Sequence, residues 1–445
     1  MIGSQQIRNK EDYKWWEAFR SLPLSLKFNI MRSMHILFLM MMAWACHKDP
    51  IVPPHPPAPP TPSKLEIVWQ VPIVPDTSEH STSPQALVEG GIAFSTNFTI
   101  PSAFVQMREA DTGAFRWKFD DFIMPIDGFL RNQIERLNNK IVINKWHRTY
   151  CIDPLNGHLD WALDVTNDGG AGEPFIGVYG DYVYKANYTG SKPKSTSESI
   201  VRSHYLLGKW DTLFSIIAKD SFYLNIKPPT LWVNPQGDSV LIIRDNGLRD
   251  VHATAHEGRY NLVNLYSWNM RTRQYEWKLE DFEDQRYIDI NPPAVDGNHI
   301  FLHSKNYVYC LNLMDGSLVW KKYFADDISI GNIVQHKNTI ILHGDDHGLW
   351  ALNKSDGAIV WYNNNSTGSV VQMRYFDGVV YYVSVGSGLL YAINAETGAT
   401  IWAEYSRTKK PHATFAFSSI IIDPERRFLY TADSYFMMCV KLPKL

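Results

Sequence analysis

The segment Gly388–Trp402, GLLYAINAETGATIW, contains two short runs of alternating apolar residues on either side of the turn Glu396-Thr397-Gly398. Alternation with a period of two places one set of side chains on a single face of a β-strand. Glycine supplies the positive φ angle that a tight turn needs. The segment therefore predicts a β-hairpin whose second strand ends at Trp402.

The same hairpin pattern recurs along the chain. Four further copies have the turn and the final tryptophan: Gly348–Trp361, Tyr309–Trp320, Tyr150–Trp161 and Gln106–Trp117. A looser copy, Tyr266–Trp277, has Arg273 in place of the turn glycine. The tryptophans Trp277, Trp320, Trp361 and Trp402 lie 43, 41 and 41 residues apart. A period of about forty residues is the length of a four-stranded propeller blade.

Eight outermost strands can be assigned in this way. They contain Trp69, Trp117, Trp161, Phe214, Trp277, Trp320, Trp361 and Trp402. The last hairpin, Tyr435–Lys441, ends too close to Leu445 for a fourth strand, and the isolated strand Glu66–Val71 can supply it. Such closure removes the exposed edges of an open sheet. The sequence thus predicts an all-β fold, an eight-bladed β-propeller closed by its N-terminal strand.

The repeat also predicts structural roles for glycines and cysteines. The turn glycines are Gly113, Gly157, Gly316, Gly357 and Gly398. Cys151, Cys310 and Cys439 occupy the slot of Ala351 and Ala392 in other copies. A small, half-apolar side chain suits close packing between sheets, and no Cys/His spacing suggests a metal site. We expect buried free thiols.

The N-terminal region resembles an export signal. A basic residue, Arg32, precedes the ten apolar residues 36–45, which end at Cys46. This order is typical of a signal peptide and resembles the lipobox of bacterial lipoproteins, so Cys46 is predicted to be lipidated. Ordinary cleavage after Ala45 remains an alternative. Residues 1–30 precede the signal, which suggests an over-extended start of the chain.

A proline-rich segment follows the signal. Eight of the thirteen residues in Pro50–Pro62 are proline, which predicts an extended polyproline tether. The predicted organisation is a signal region over residues 1–45, a lipidated cysteine and linker over 46–63, and the propeller over 64–445.

Charge and hydropathy argue against nucleic acid as a partner and against a segment that spans a membrane. The chain has 43 basic and 46 acidic residues, a net charge of −3, without a cationic run. Nucleic-acid binding is therefore not expected. No segment reaches the roughly 20 apolar residues that span a bilayer, so the mature chain is predicted not to cross one.

Two histidine-containing segments can be interpreted as metal sites or as loops. The segment His343–Gly348 falls at a turn between two strands, and Asp-Asp-x-Gly is typical turn chemistry. His252 and His256 have an i, i+4 spacing but lack the glutamate of a helical zinc motif. Both segments are predicted to be loops.

Two insertions interrupt the repeat, at Asn187–Ser199 in blade three and Asp245–Tyr260 in blade four. Both fall between the second and third strands, so they lie on the same face of neighbouring blades. Loops vary where binding sites are placed. We therefore interpret these insertions as a partner-binding rim, with tolerated surface insertions as the alternative.

The motif aromatic-Ala-(Ile/Leu)-(Asp/Asn)-x-x-Thr-Gly-x-x-x-Trp resembles the repeat of the pyrroloquinoline-quinone-type (PQQ-like) β-propellers over residues 64–445. This family contains quinone-dependent dehydrogenases and non-enzymatic, BamB-like bacterial lipoproteins. The dehydrogenase branch implies a calcium-held quinone above adjacent cysteines and often a C-x-x-C-H haem motif. The chain has neither adjacent cysteines nor that motif. The resemblance therefore implies the BamB-like branch.

The sequence predicts a non-enzymatic scaffold of the bacterial cell envelope, anchored in the outer membrane by lipid and without a cofactor. Its partners would be envelope proteins, in outer-membrane protein assembly or a related task, and the propeller is expected to be monomeric. Two alternatives stay open: a PQQ-dependent oxidoreductase and a glycan- or ligand-binding surface lipoprotein. Fold alone does not decide between them.

Overall fold

The structure is a computed structural model. It describes residues 65–73, 82–96, 104–122, 133–145, 148–164, 172–189, 197–217, 222–223, 226–250, 259–285, 292–304, 306–324, 332–344, 348–364, 372–406, 408, 413–415 and 418–444. The predicted signal region, Cys46 and the proline-rich linker lie outside these residues. Among the described residues no helix is long and apolar enough to cross a membrane.

The described residues form eight antiparallel sheets, which confirms the predicted all-β propeller of eight blades. Blades one to three are consecutive: β2(Thr82–Val88), β3(Gly91–Thr96), β4(Val105–Glu109), β5(Phe115–Phe119); β6(Gln133–Leu137), β7(Lys140–Lys145), β8(Arg148–Ile152), β9(Leu159–Asp164); β10(Gly172–Tyr179), β11(Tyr182–Thr189), β12(Ser197–His204), β13(Asp211–Ile217). Blade four has five strands: β14(Phe222–Tyr223), β15(Thr230–Val233), β16(Ser239–Asp250), β17(Arg259–Asn269) and β18(Gln274–Gln285).

Blades five to seven return to four strands each. They comprise β19(Ala294–Asp296), β20(His299–Ser304), β21(Tyr307–Asn312), β22(Leu318–Tyr323); β23(Val334–His336), β24(Thr339–Gly344), β25(Gly348–Asn353), β26(Ile359–Asn363); β27(Arg374–Phe376), β28(Val379–Val383), β29(Leu390–Asn394) and β30(Thr400–Glu404). Blade eight combines β31(Ile421–Asp423), β32(Phe428–Ala432) and β33(Phe436–Lys441) with the N-terminal strand β1(Glu66–Pro72).

The N-terminal strand closes the ring as predicted. Strand β1 pairs antiparallel with β33, from Glu66 opposite Lys441 to Pro72 opposite Phe436. One more hydrogen bond continues the pairing, from the amide of Ile73 to the carbonyl oxygen of Tyr435 at 2.9 Å. The two ends of the domain thus share one sheet, and neither β33 nor β1 has to pair with another molecule.

Hydrophobic side chains fill the spaces between neighbouring blades. Eight buried clusters join the eight adjacent pairs, including blades eight and one. Cys151, Cys310 and Cys439 are buried in three of these clusters and are free thiols. Ala351 and Ala392 take the same position in two others. The small-residue slot is therefore an interface between sheets.

The order of strands defines two faces of the ring. First strands of neighbouring blades contact each other, for example β2 with β6 and β23 with β27, so the first strand of each blade is innermost. Because the strands alternate in direction, connections from first to second and third to fourth strand share one face, which we call the turn face. Connections from second to third strand lie on the other, which we call the B–C face.

Candidate functional site

The tryptophans and glycines of the repeat meet at the boundary between successive blades. The indole Nε1–H of Trp361 donates to the carbonyl oxygen of Ala395 at 3.0 Å, and a Cβ on Gly398 would lie 2.5 Å from Trp361 Cε3. Among the described residues six pairs share this arrangement: Trp69–Gly113, Trp117–Gly157, Trp161–Gly208, Trp277–Gly316, Trp320–Gly357 and Trp361–Gly398. The glycines thus give room for the ring as well as a positive φ angle.

The sequence pattern missed one of these glycines. Gly208 has a φ of 55° and lies under Trp161, but its turn contains Leu206 and Leu207 in place of the polar residues of the other copies. The last tryptophan, Trp402, lies in the buried cluster between blades seven and eight, which also contains Leu65 and Leu442. These residues hold the ring together and are not a chemical site.

The repeat changes at the boundary between blades three and four. Phe214 is the outermost aromatic residue of blade three, and Arg273 occupies the glycine position of blade four with a φ of 55°. The ring of Phe214 contacts those of Trp268 and Tyr275, with centroids 5.3 and 5.9 Å apart. The aromatic partners of Phe214 thus belong to blade four itself, in strands β17 and β18. Blade four is therefore joined to its neighbour differently from the others.

Blade four is also much taller than the rest. Strands β16 and β17 form eleven consecutive residue pairs, from Val240–Asn269 to Asp250–Arg259. The corresponding strands of blade six, β24 and β25, form six, from Thr339–Asn353 to Gly344–Gly348. Five additional pairs at ~3.4 Å each extend the sheet by about 17 Å on the B–C face. We call this part the tall extension; it comprises residues 222–223, 245–250, 259–264 and 280–285.

The described parts of the predicted insertions are strand and not loop. In blade four, residues 245–250 and 259–260 are paired, and in blade three residues 187–189 pair with 197–199. The residues between them, 190–196 and 251–258, lie outside the described part of the chain. Gly247 and the polar residues around it resemble a turn in sequence, but pairing with the neighbouring strands satisfies their backbone groups. The location on one face of neighbouring blades agrees with the prediction.

The innermost strand of blade four is divided to follow this height. Strand β15 pairs with the lower half of β16, whereas β14 pairs with the upper half, with Phe222 opposite Arg249. Between them, Ile226 forms a bridge with Asp245, and Pro228 follows. Proline cannot donate to a sheet, so the break falls where the chain contains two prolines. The tall extension is consequently a four-stranded sheet and not a lone hairpin.

Buried polar groups fasten the base of the tall extension to both neighbouring blades. The guanidinium of Arg244, buried in blade four, donates to the carbonyl oxygen of His303 in blade five at 3.1 Å. On the other side, the amide of Ile226 donates to the buried carboxylate of Glu198 in blade three. Such charge-assisted bonds are stronger than neutral ones and fix geometry. The base of the extension is therefore held in place from two sides.

Blade three contains a second buried charge that the sequence did not reveal. The Lys185 ammonium donates to Asn144 Oδ1 of blade two at 2.7 Å, and Thr149 Oγ1 donates to the same oxygen at 2.9 Å. Burial lowers the pKa of Lys185 to about 7. Lysine in an alternating strand usually indicates a solvent-facing position, which is why its burial was not expected.

The histidine segments do not form a metal centre among the described residues. His343 is buried against the ring of Tyr382, and burial lowers the pKa of His343 to about 3. Residues 345–347 and 251–258, which include the remaining histidines of both segments, lie outside the described part of the chain. Within that part no three His, Cys, Asp or Glu residues are placed to hold a metal ion.

Sequence comparison links the chain to two kinds of protein. The family model described as outer membrane protein assembly factor BamB matches residues 236–322 and 326–434. The outer membrane protein assembly factor BamB of Yersinia pestis is 26% identical over 140 residues, which are 29% of this chain and 35% of that protein. The tetrathionate hydrolase of Acidithiobacillus ferrooxidans is 23% identical over 139 residues, 25% of this chain and 28% of that protein. The chain thus spans about a third of each curated relative.

Solved structures match over a longer range but at low identity. BamB from Moraxella catarrhalis has a TM-score of 0.55 at 13% identity, over 86% of this chain and 99% of that one. The quinohemoprotein alcohol dehydrogenase of Comamonas testosteroni has a TM-score of 0.59 at 12% identity, over 86% and 78%. At this identity the likeness shows the fold alone. Together, the repeat motif, the eight closed blades and the matched segments support a PQQ-like β-propeller for this chain.

Proposed function

We propose that the protein is a non-enzymatic scaffold of the bacterial cell envelope that binds a partner protein through the tall extension of blade four. The observation that carries the proposal is the four-stranded extension itself, which makes blade four about 17 Å taller than blade six and is fastened at its base. A projecting sheet that is fastened at its base is suited to recognition, since little order has to be imposed on binding.

The comparisons support the BamB-like branch for this proposal. The matched family model covers residues 236–322 and 326–434, so it includes strands β16 to β18 of blade four, blades five to seven, and strands β31 and β32 of blade eight. We propose a role in outer-membrane protein assembly or a related envelope task, with the chain anchored through Cys46. An oxidoreductase that uses pyrroloquinoline quinone is the alternative, because a dehydrogenase shares the fold. Calorimetry with pyrroloquinoline quinone and calcium distinguishes the two, and tight 1:1 binding would favour the oxidoreductase.

The proposal is tested by shortening the tall extension. Asn246 and Val263 are opposite each other, so residues 247–262 can be replaced by an Asn-Gly turn without changing the register below. Crosslinking in cells should then lose the envelope proteins that the intact chain captures, while thermal unfolding of the ring changes little. As a control, Leu206→Ser with Leu207→Ser alters two side chains on the turn face that are 64% and 73% exposed. Capture that persists without the extension argues against the proposal.

A further inference from the structure

We infer that the outer edge of β18 in the tall extension binds an extended, lysine- or arginine-rich segment of the partner, which adds a strand to the sheet. This inference rests on the proposed function, because it names the chemistry of the partner at the same surface. Four properties of β18 lead to this inference: its length, its open outer edge, its pairing with β17 on the inner side and its charge.

Strand β18 is the longest outermost strand of the ring. It has 12 residues, whereas the outermost strands of the other blades, β1, β5, β9, β13, β22, β26 and β30, have five to seven. Within the described residues, no strand pairs with the outer side of β18. Long, exposed edges offer a row of backbone donors and acceptors to an added strand.

The upper part of this edge is held in a fixed position. Val263 is opposite Glu283 and Asn261 is opposite Gln285, so β17 supports β18 to its last residue. The register shifts between Val263 and Leu265, and at that level the ring of Phe282 packs edge-to-face on Tyr309 of blade five, with centroids 4.9 Å apart. This aromatic contact joins the edge to the neighbouring blade. An added strand would therefore meet a preformed template.

Charge selects the kind of segment that this edge accepts. Strand β18 contains five acidic residues and one lysine, and four of the acidic residues, Glu280, Asp281, Glu283 and Asp284, fall in its upper half. The outermost strand of the next blade, β22, contains Lys321 and Lys322 and no acidic residue. Complementary charge steers association and suppresses wrong partners. The acidic sequence of β18 thus favours a cationic strand.

Two other occupants fit less well. A second copy of this chain would bring an identical acidic edge, and like charges on adjacent strands are destabilising. The chain's own segment Pro50–Pro62 is eight-thirteenths proline, and proline has no amide hydrogen to donate to a sheet. A basic extended segment of another protein satisfies both the backbone and the charge of β18.

The inference is tested with short synthetic peptides and the full chain. The probe alternates lysine and valine; one comparison peptide alternates glutamate and valine, and another carries N-methyl groups on alternate amides of the lysine–valine sequence. The lysine–valine peptide should bind and protect the amides of residues 279–285 from hydrogen exchange, and its affinity should fall with ionic strength. Neither comparison peptide should bind comparably.

A matched pair of variants locates the site. Glu283→Lys with Asp284→Lys should weaken binding of the lysine–valine peptide by about tenfold or more, since two attractive charges become repulsive. Asp121→Lys with Glu425→Lys makes the same change in net charge at exposed positions of blades one and eight and should leave the affinity within about twofold. Both pairs should unfold at the temperature of the parent protein.

The outcomes separate this inference from the proposed function. Equal affinity for the N-methylated peptide, or an equal effect of both variant pairs, overturns strand addition at β18. Suppose that capture of envelope proteins requires the tall extension but is not reduced by Glu283→Lys with Asp284→Lys. The inference then fails and the proposed function stands. If removal of residues 247–262 does not alter capture, the proposed function fails by itself.

Discussion

Replacing Gly398 by alanine should destabilise the propeller through a contact between blades six and seven. Gly398 has a φ of 71°, which costs an alanine about 1–2 kcal/mol, and the restricted unfolded chain returns about 0.4–1 kcal/mol. The new Cβ would also lie 2.5 and 2.6 Å from Cε3 and Cδ2 of Trp361. Moving the ring or the turn adds about 1–3 kcal/mol for overpacking. It also strains the indole hydrogen bond to Ala395, worth about 1 kcal/mol. We expect a total loss of about 2–5 kcal/mol.

A matched glycine separates the backbone cost from the ring contact. Gly297 has a φ of 54°, and a Cβ there would have no heavy atom within 4 Å. Gly297→Ala should therefore cost only about 1 kcal/mol. The measurement is equilibrium unfolding in urea followed by far-ultraviolet circular dichroism, which does not depend on the tryptophans being changed.

A double-mutant cycle tests the cause directly. In a Trp361→Phe background the smaller ring should leave room for the Cβ; in the repeat, Phe214 and Arg273 take the tryptophan and glycine positions at the boundary between blades three and four. The cost of Gly398→Ala should then fall by about 1 kcal/mol or more towards that of Gly297→Ala. Equal costs in both backgrounds, or equal costs at Gly398 and Gly297, would refute the reasoning.

Three further predictions follow from burial and closure. Burial lowers the pKa of Lys185 from 10.5 to about 7, so between these pH values the unfolded chain binds one more proton than the folded chain. The free energy of unfolding should therefore rise with pH by up to about 1.4 kcal/mol per pH unit. Lys185→Met should remove this slope in denaturation measured between pH 7 and 10. Burial raises the pKa of Cys151 and Cys310 to about 12, so both should react with a thiol reagent at pH 8 only after denaturant is added, and rapid labelling of the native protein contradicts this. Trp69→Ala in the closing strand should cost about 3–5 kcal/mol, whereas Val68→Ala, at a 38% exposed side chain, should cost under about 1 kcal/mol; similar melting temperatures for both would disprove the role of β1 in closure.

The sequence determined the architecture because the repeat is local. Each hairpin carries its own alternation, turn and tryptophan within about fifteen residues, so blade number, strand order and the closing strand follow from counting. The buried, free state of Cys151, Cys310 and Cys439 also follows, because a repeat assigns each of them the slot of an alanine in another blade.

Tertiary structure decided what departs from the repeat. Residues 245–250 read as a polar insertion, but pairing with residues 222–223 and 259–264 makes them strand, since a sheet satisfies backbone groups whatever the local propensity. The burial of Lys185 depends on Asn144, which is 41 residues away and brought close only when two blades dock. The position of the candidate site could be predicted from the sequence, because the insertion interrupts the repeat there. Its height and open edge depend on long-range pairing between strands, so they are consequences of the folded ring.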